Sequence, residues 1–464
     1  MSVTEPTGYA AGRQFSTGTG PDFRVLDIGH KDWVAVVEPR TAFWSLVAKT
    51  GLADTLTEAA FGDAYRKKAA AFDAEIGNLR FGLSPSAVYL NPTERCNLNC
   101  TYCYIPGDLR QGGSQMDVPS LLNALGILKT YFQKELPTGR KAQIIFHGAE
   151  PLLCKDGLLA AFEGFKDDFR FGVQTNGTLM DADFAAALRG YGVSVGLSLD
   201  APEAETADRT RRTWGGAGVH DQTLKAMELF RGYDELAVIC TVTSGNMAAL
   251  PALVDFFHER EVHAALLNVV RCTLPGARLL KPDEKELFGH FEAALERADE
   301  LRKRTGRKLI VANFANILLA LMAPAARRLM CDLSPCGAGR AFLAIAPDGG
   351  AYPCSEFIGL PRFRGGNLFA DSVPEILASA PFRQVVTRDI DTMDPCGRCA
   401  IKHFCGSPCP AEAVEMNGGI ERPGAYCVFY EEQVRYALRL IADGRAEDFL
   451  WDDWDQGTTT SFEL

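Results

Sequence analysis

Cysteine spacing is the feature of this sequence that most directly suggests chemistry. Of 14 cysteines in 464 residues, three fall within eight positions, in the order Cys96-x3-Cys100-x2-Cys103. Three soft thiolates on one loop can wrap a single metal centre. A closed structural zinc site needs four ligands, whereas an iron–sulfur cluster held by three cysteines leaves one iron open to a small molecule. The local count of three therefore favours the cluster and leaves zinc as the competitor.

A second group of eight cysteines lies between positions 331 and 427. They are Cys331, Cys336 and Cys354, then Cys396, Cys399, Cys405 and Cys409, then Cys427. Eight thiolates make two four-cysteine sites, and spacing alone suits zinc ribbons and iron–sulfur clusters equally. The remaining Cys154, Cys240 and Cys272 lie in or beside strand and helix patterns and are predicted to be core thiols.

The elements that must position the first cysteines alternate regularly from Ala87 onward. Apolar runs occupy 87–90, 143–146, 171–174, 193–199, 237–242 and 264–270, and helical patterns lie between them at 118–134, 155–168, 181–190, 221–232 and 247–259. This alternation predicts strand–helix–strand units and a parallel sheet. Six units predict an α/β fold with a partial (β/α)6 barrel, in which ligands collect at the carboxyl ends of the strands. The Cys96 loop follows the first of those strands.

Three further segments flank this barrel, which we place at residues 86–305. Residues 1–85 form a small α/β appendage, with strands expected at 23–28 and 33–37 and helices at 41–49 and 62–77. Residues 306–445 are turn-rich and hold the later cysteines, with a hairpin at 342–353. Residues 446–464 form an acidic tail that we expect to be a loose terminus.

Composition excludes several classes of function. The net charge is −11, so the basic footprint of a nucleic-acid binder is absent. No apolar stretch is long enough for a membrane span, and the first residues lack the apolar region of a signal peptide. We therefore expect a cytoplasmic protein, in a reducing compartment where clustered cysteines bind metals rather than form disulfides.

The loop from Cys96 to Cys103 resembles the signature of the radical S-adenosylmethionine (radical SAM) enzymes, C-x3-C-x2-C with an aromatic residue, here Tyr102, before the third cysteine. In that family a [4Fe–4S] cluster on the three cysteines chelates S-adenosylmethionine (SAM) and cleaves it to a 5′-deoxyadenosyl radical. The radical abstracts a hydrogen atom from substrate, while the protein supplies orientation and water exclusion.

Later strand ends carry motifs that resemble the family's SAM contacts. Gly148-Ala149-Glu150-Pro151 resembles G-G-E-P, with Ala149 replacing the second glycine, and would present backbone groups to the methionine ammonium. Asn176 ends the third strand and Ser198 the fourth, where a family serine bonds SAM; ordinary polar loop ends are the alternative. Arg211 resembles the arginine of H-D-x-x-R and is expected to pair with the SAM carboxylate.

The later cysteines resemble the SPASM extension of radical SAM enzymes at every spacing. That resemblance implies two auxiliary [4Fe–4S] clusters with interleaved ligands. One set would be Cys331, Cys336, Cys354 and Cys409, with Cys331 outside the core spacing, and the other Cys396, Cys399, Cys405 and Cys427. Fully ligated clusters are suited to remove an electron from the substrate radical.

Relatives with this extension mostly modify peptides, so the resemblance predicts an enzyme that cross-links or oxidises a ribosomally made peptide or protein. Flavodoxin or ferredoxin would be the electron donor. Sulfatase maturases are also similar but carry an aspartate directly after the cysteine of G-x4-C. Ser355 stands there, followed by Glu356, which is the candidate catalytic base; an exposed carboxylate is the alternative.

Other interpretations stay open. Residues 1–85 would read a leader peptide by adding a substrate strand at the edge of 23–37, or would only cap the barrel. The chain would otherwise be a radical enzyme acting on a small metabolite, or a non-catalytic iron–sulfur or zinc protein.

Overall fold

A computed structural model describes residues 13–16, 21–333, 336–405 and 409–456. Its first sheet is antiparallel. The strands of that sheet are β1 (Arg13–Ser16), β2 (Asp22–Leu26), β3 (Trp33–Glu38) and β4 (Phe43–Ala48), paired in chain order.

The second sheet has ten strands and is mostly parallel. They are β5 (Ala87–Leu90), β6 (Ala142–Phe146), β7 (Phe169–Thr175), β8 (Ser194–Ser198), β9 (Leu236–Val242), β10 (Ala264–Val269), β11 (Ile310–Val311), β12 (Phe342–Ile345), β13 (Gly350–Tyr352) and β14 (Gly366–Asn367). Their spatial order is β11-β10-β9-β8-β7-β6-β5-β12-β13-β14. The parallel sheet is confirmed, and β12 extends it by pairing in parallel with β5.

Sixteen α-helices are present in the described ranges. They are α1 (Leu52–Thr57), α2 (Ala59–Gly77), α3 (Gly107–Gly112), α4 (Val118–Glu135), α5 (Lys155–Phe165), α6 (Ala182–Gly190), α7 (Ala204–Ala207), α8 (His220–Glu228), α9 (Leu250–Glu259), α10 (Pro275–Arg278), α11 (Glu284–Thr305), α12 (Ala312–Met322), α13 (Val373–Leu377), α14 (Ala380–Val386), α15 (Pro410–Asn417) and α16 (Cys427–Ala442). None of these helices combines the length and the apolarity needed to cross a membrane.

The barrel elements form for reasons visible in the sequence. Every residue of β6 is buried, as expected for a parallel strand covered on both faces. Helices α4 and α6 begin at side-chain caps: the carboxylates of Asp117 and Asp181 accept hydrogen bonds from the backbone N–H of Ser120 and Phe184, both at 2.8 Å. Each barrel strand leads into a loop and then a helix, which places the loops at one edge of the sheet.

Two expectations for the appendage are wrong. The helix at 41–49 is strand β4, because apolar residues face both ways: Phe43 and Val47 pack toward α2, whereas Trp44 and Leu46 pack against the main core. The free edge expected at 23–37 does not exist, since β1 covers β2 and β4 covers β3.

The acidic tail also differs from expectation over residues 446–456. Phe449 and Leu450 are buried, the Lys308 Nζ donates to the Leu450 carbonyl at 2.9 Å, and the Arg328 guanidinium lies 4.1 Å from the ring centroid of Trp451. This stretch is therefore a packed element, because apolar side chains alternate with its acidic ones. Residues 457–464 lie outside the described ranges. The hairpin prediction is confirmed by β12 and β13, and the core thiols Cys154, Cys240 and Cys272 are buried.

Candidate active site

Cys96, Cys100 and Cys103 lie on the loop between β5 and α3, and each is partly exposed and free of disulfides. Backbone hydrogen bonds clamp this loop: the Cys96 N–H donates to the Arg110 carbonyl at 2.9 Å, and the Thr101 N–H donates to the Thr210 carbonyl at 3.0 Å. The three thiols therefore sit on a fixed loop at the carboxyl end of β5.

These thiols are protonated without a metal. Burial raises the pKa of Cys96 to about 12 and that of Cys103 to about 11. Metal binding must displace those protons. Within the described ranges, no three or more His, Cys, Asp or Glu side chains converge on a single ion. A cluster of several irons is wider than one ion, so three thiols on an open loop fit an iron–sulfur cluster better than mononuclear zinc.

The turn at Gly148–Pro151 follows β6 and is fixed from inside the protein. Gly148 has φ 104°, and a Cβ there would stand 2.5 Å from the Asn91 Cγ, so glycine is required. The buried Glu150 carboxylate accepts hydrogen bonds from the Leu152 N–H (3.0 Å), the Thr175 hydroxyl (2.7 Å) and the Asn176 N–H (2.9 Å). Glu150 therefore ties this turn to the end of β7 and leaves the backbone edge available to a ligand.

Asn176 and Ser198 differ in how they are bonded. The Asn176 side-chain amide donates to Asn97 Oδ1 at 3.0 Å and lies 3.9 Å from the Cys96 Sγ, so it braces the cysteine loop from within the protein. Ser198 ends β8 and is partly exposed, and no side chain of the described ranges bonds its hydroxyl.

Arg211 belongs to a buried network behind the cysteine loop. Its Nη1 donates to the Tyr102 hydroxyl at 2.6 Å, and that hydroxyl donates to Asp200 Oδ2 at 2.6 Å. The Arg211 Nη1 and the Asp200 Oδ2 are 3.8 Å apart and form an ion pair. The Arg211 Nε is buried without a partner among the described residues, so one donor remains for an anion. Sequence reasoning missed the use of Asp200, although it stands two residues after Ser198.

The later cysteines gather in two groups. Burial raises the pKa of Cys354, and the charges of Cys331, Glu356 and Cys336 raise it further. Burial likewise raises the pKa of Cys409 to about 12, with Cys336 among its neighbours.

The second group forms around the start of α16. Burial raises the pKa of Cys427 to about 12, with contributions from Cys396 and Cys399. The Cys405 thiol is close enough to act electrostatically on Tyr430, one turn into the same helix. The two ligand sets stay a prediction; Cys331 is exposed, whereas the other seven thiols are partly buried.

Glu356 lies between the two cysteine territories, in the short 3-10 turn after Cys354. Its side chain is partly buried rather than exposed, and its Oε2 has no partner among the described residues. Burial raises its pKa to about 7, Glu412 adds to the rise, and Arg271 opposes it. The charge of Glu356 also acts on Cys103 and Cys409, which indicates that this carboxylate lies near thiols of both cysteine regions.

Sequence reasoning missed three further residues that lie near the cysteines: Tyr104, His147 and Arg271. The Tyr104 ring stacks on His147 with centroids 6.4 Å apart, and His147 meets Tyr89 edge-on at 5.3 Å. Burial lowers the pKa of His147 to about 4, so the ring is neutral. Arg271 stands two residues beyond β10. The available signal was position, since Tyr104 follows Cys103, His147 precedes Gly148, and Arg271 follows the sixth strand.

Comparison with known proteins places two regions of the chain in described families. Residues 90–254 match the Radical SAM superfamily, and residues 336–400 match SPASM, an iron–sulfur cluster-binding domain. The first region spans β5 to α9, and the second begins at Cys336.

Similar proteins extend over most of the chain. An uncharacterized protein of Archaeoglobus fulgidus is 41% identical, over 83% of this chain and 89% of its own length. The cysteine-type anaerobic sulfatase-maturating enzyme of Clostridium perfringens (strain 13 / Type A) is 24% identical, over 77% of this chain and 98% of its own. The crystal structure of Streptococcus suis SuiB bound to precursor peptide SuiA has a similar fold, with a TM-score of 0.55, 12% identity, and coverage of 85% of this chain and 96% of that one.

Proposed function

Because the chain belongs to the radical SAM superfamily and carries an iron–sulfur cluster-binding SPASM domain, we propose that it cleaves SAM reductively and uses the 5′-deoxyadenosyl radical to cross-link a ribosomally made peptide. The observation that carries this proposal is the direct pairing of β5 with β12. The first strand leads to the Cys96 loop and the second, through its hairpin, to Cys354 and Glu356. One continuous sheet therefore joins the strand that leads to the Cys96 loop to the hairpin that leads to Cys354, which supports one site built from both regions.

The proposed ligands of the SAM-binding [4Fe–4S] cluster are Cys96, Cys100 and Cys103. The two auxiliary clusters would be held by the two groups described above. When bound, these cofactors supply a hydrogen-abstracting radical and a route for one further electron. The chain supplies a braced loop, through the amide of Asn176, and a site from which water is largely excluded.

The proposed SAM contacts surround this loop. The backbone of Gly148, Ala149, Glu150 and Pro151 would meet the ammonium, with Glu150 holding the turn in place. The Ser198 hydroxyl would donate to SAM, and the Arg211 Nε would bond its carboxylate. Support comes from the Arg211 Nε, which is buried without a partner among the described residues, and from the partly exposed Ser198 hydroxyl, which no side chain of those residues bonds.

Glu356 is proposed as the base that takes the proton released when the substrate radical is oxidised. Its support is that the Oε2 is buried without a partner among the described residues, two positions after Cys354. Flavodoxin or ferredoxin is the proposed electron donor, in a reducing cytoplasm where free thiols and clusters persist.

The domain boundaries remain part of the proposal: an appendage at 1–85, the barrel at 86–305, the SPASM domain at 306–445 and a tail at 446–464. One face of the β1–β4 sheet packs into the main core, and Arg439 of α16 donates to the Ile28 carbonyl at 2.9 Å. This packing supports a capping role for the appendage. A leader peptide would have to bind at β1 or β4, the two edges of that sheet.

The test is anaerobic co-expression with short peptides encoded in neighbouring reading frames, followed by mass spectrometry. We expect one peptide to lose two hydrogens, and purified enzyme with dithionite and SAM to release 5′-deoxyadenosine. Release without any peptide product would favour a metabolite substrate. Absence of 5′-deoxyadenosine would indicate that the chain is a non-catalytic cluster protein.

Oxidation of a sulfatase is the second candidate, favoured by the similarity to the sulfatase-maturating enzyme of Clostridium perfringens. Ser355, in place of the aspartate expected after Cys354, argues against it. A sulfatase-derived peptide added to the same assay separates the two, because a sulfatase maturase would modify it without any neighbouring peptide.

A further inference from the structure

Arg271 is a charged side chain for which the described residues offer no hydrogen-bond or ion-pair partner; Cys409 and Glu356 act on it through their charges alone. It is partly buried, two residues beyond the carboxyl end of β10. Within the described ranges, no hydrogen bond or ion pair engages its guanidinium, whereas Arg211, in the loop after α7, is bonded to Tyr102. A partly buried guanidinium with five donors and no acceptor is costly unless something else binds it.

The carboxylates nearest to Arg271 do not fill this role. Glu412 accepts hydrogen bonds from the backbone N–H of Cys272 (3.2 Å) and of Ala425 (3.1 Å), which joins α15 to the loop after β10. Asp332 accepts from the Asn316 amide at 2.9 Å. Glu356 acts on Arg271 only electrostatically.

Two other side chains near the cysteines also carry polar atoms without partners among the described residues. The Nδ1 of His147 and the Oε2 of Glu356 are both buried and unbonded among the described residues. Buried polar groups are nearly always hydrogen-bonded in folded proteins. These two unpartnered atoms and the unbonded Arg271 guanidinium indicate a polar ligand that binds near them.

We propose that Arg271 is the anchor for a carboxylate of the substrate, so that the residue being modified is an aspartate or glutamate, or is the last residue of its peptide. This assignment rests on the proposed function and names its substrate class. A planar guanidinium binds a carboxylate through two parallel hydrogen bonds, which fixes orientation as well as position. A carbon atom next to that carboxylate would then lie between the Cys103 loop and Glu356.

The test measures binding rather than turnover. Holoenzyme reconstituted without oxygen is saturated with SAM, kept free of reductant, and dialysed to equilibrium against three probes. The probes are N-acetylglutamate N′-methylamide (side-chain carboxylate), N-acetylglutamine N′-methylamide (neutral isostere) and N-acetylglutamine (terminal carboxylate). We expect at least one carboxylate probe to bind roughly tenfold or more tightly than the neutral isostere, since charge-assisted bonds exceed neutral ones by about that factor.

Variants assign that preference to Arg271. Arg271→Gln should bind all three probes equally while keeping its iron and its cluster absorbance, and Arg271→Lys should retain part of the preference. Arg231→Gln is the matched control, because Arg231 lies in the α8–β9 turn at the opposite end of the strands and is half-exposed; it should behave as wild type.

Three results would overturn the assignment: wild type that prefers neither carboxylate probe, a preference that survives in Arg271→Gln, or loss of iron in that variant, which would make the guanidinium a support of the cluster. Which carboxylate probe binds more tightly distinguishes a side chain from a chain end. Adding dithionite to the same preparation tests the proposed function separately, because 5′-deoxyadenosine without a carboxylate preference rejects only the anchor.

Discussion

Replacing Glu150 by glutamine should loosen the turn at Gly148–Pro151, which is proposed to contact SAM, without unfolding the barrel. Glutamine has the same shape, so its oxygen can still accept from the Leu152 N–H and the Thr175 hydroxyl. Its NH₂ group, however, replaces the oxygen that accepts from the Asn176 N–H at 2.9 Å. The glutamine NH₂ group and the backbone N–H of Asn176 are then two donors facing each other in a fully buried site, and this backbone N–H loses its acceptor.

The size of the effect follows from that one bond. A hydrogen bond to a charged group contributes about 1.5–3 kcal/mol, and a buried donor without an acceptor costs a similar amount. Since about 1.4 kcal/mol corresponds to a factor of ten, hydrogen exchange at Asn176 should accelerate roughly ten- to hundredfold. Exchange in the middle of β6 should change little, because those amides are held by strand pairing.

Hydrogen–deuterium exchange with mass spectrometry measures the exchange rates of segments covering 146–153 and 172–180. The matched control is Glu163→Gln on α5, where an exposed carboxylate bonds Tyr191 and Lys166; surface changes of this kind usually shift stability by less than about 0.5 kcal/mol. If Glu150→Gln exchanged like wild type at 172–180, or if Glu163→Gln accelerated that segment equally, the view of Glu150 as the brace of this turn would be wrong.

The remaining predictions concern the clusters. Replacing Cys96, Cys100 and Cys103 together by alanine should abolish 5′-deoxyadenosine release and lower iron from about twelve to about eight per chain; normal release would refute the assignment. Cys405→Ala should retain SAM cleavage, at least in part, but stop peptide modification, so finished product from this variant would exclude electron relay. Removing iron with a chelator should raise hydrogen exchange most in the turns at 355–363 and 396–405, because metal binding is folding energy there, while β12 stays protected by β5; equal exchange with and without iron would show that these turns fold unaided.

The sequence predicted the barrel well because its strands are short apolar runs between capped helices. The six strands expected from 87 to 270 all form, and the motifs at their ends meet at one edge of the sheet. The division of the later thiols into two ligand sets, which the resemblance to the SPASM extension implies, stays a prediction.

Where prediction failed, tertiary contacts decided the outcome. Residues 43–48 look helical alone, but both faces are covered, by α2 and by the main core. The tail was expected to be loose because its charge is visible in sequence, whereas the partners of that charge, Lys308 and Arg328, lie more than a hundred residues away. Arg271 belongs to no motif; its position after the sixth strand is the only signal in the sequence, and in the fold it is marked by the lack of a bonded partner among the described residues.

The union of β5 with β12 has a consequence for how this enzyme can be divided. A fragment ending near residue 305 would contain the whole Cys96 loop but would leave β5 with a bare row of N–H and C=O groups where β12 now pairs. Exposed strand edges of this kind recruit other chains and promote aggregation. The Cys96 loop and the later cysteine region are therefore joined through one sheet, and separating them at this point would expose the edge of β5.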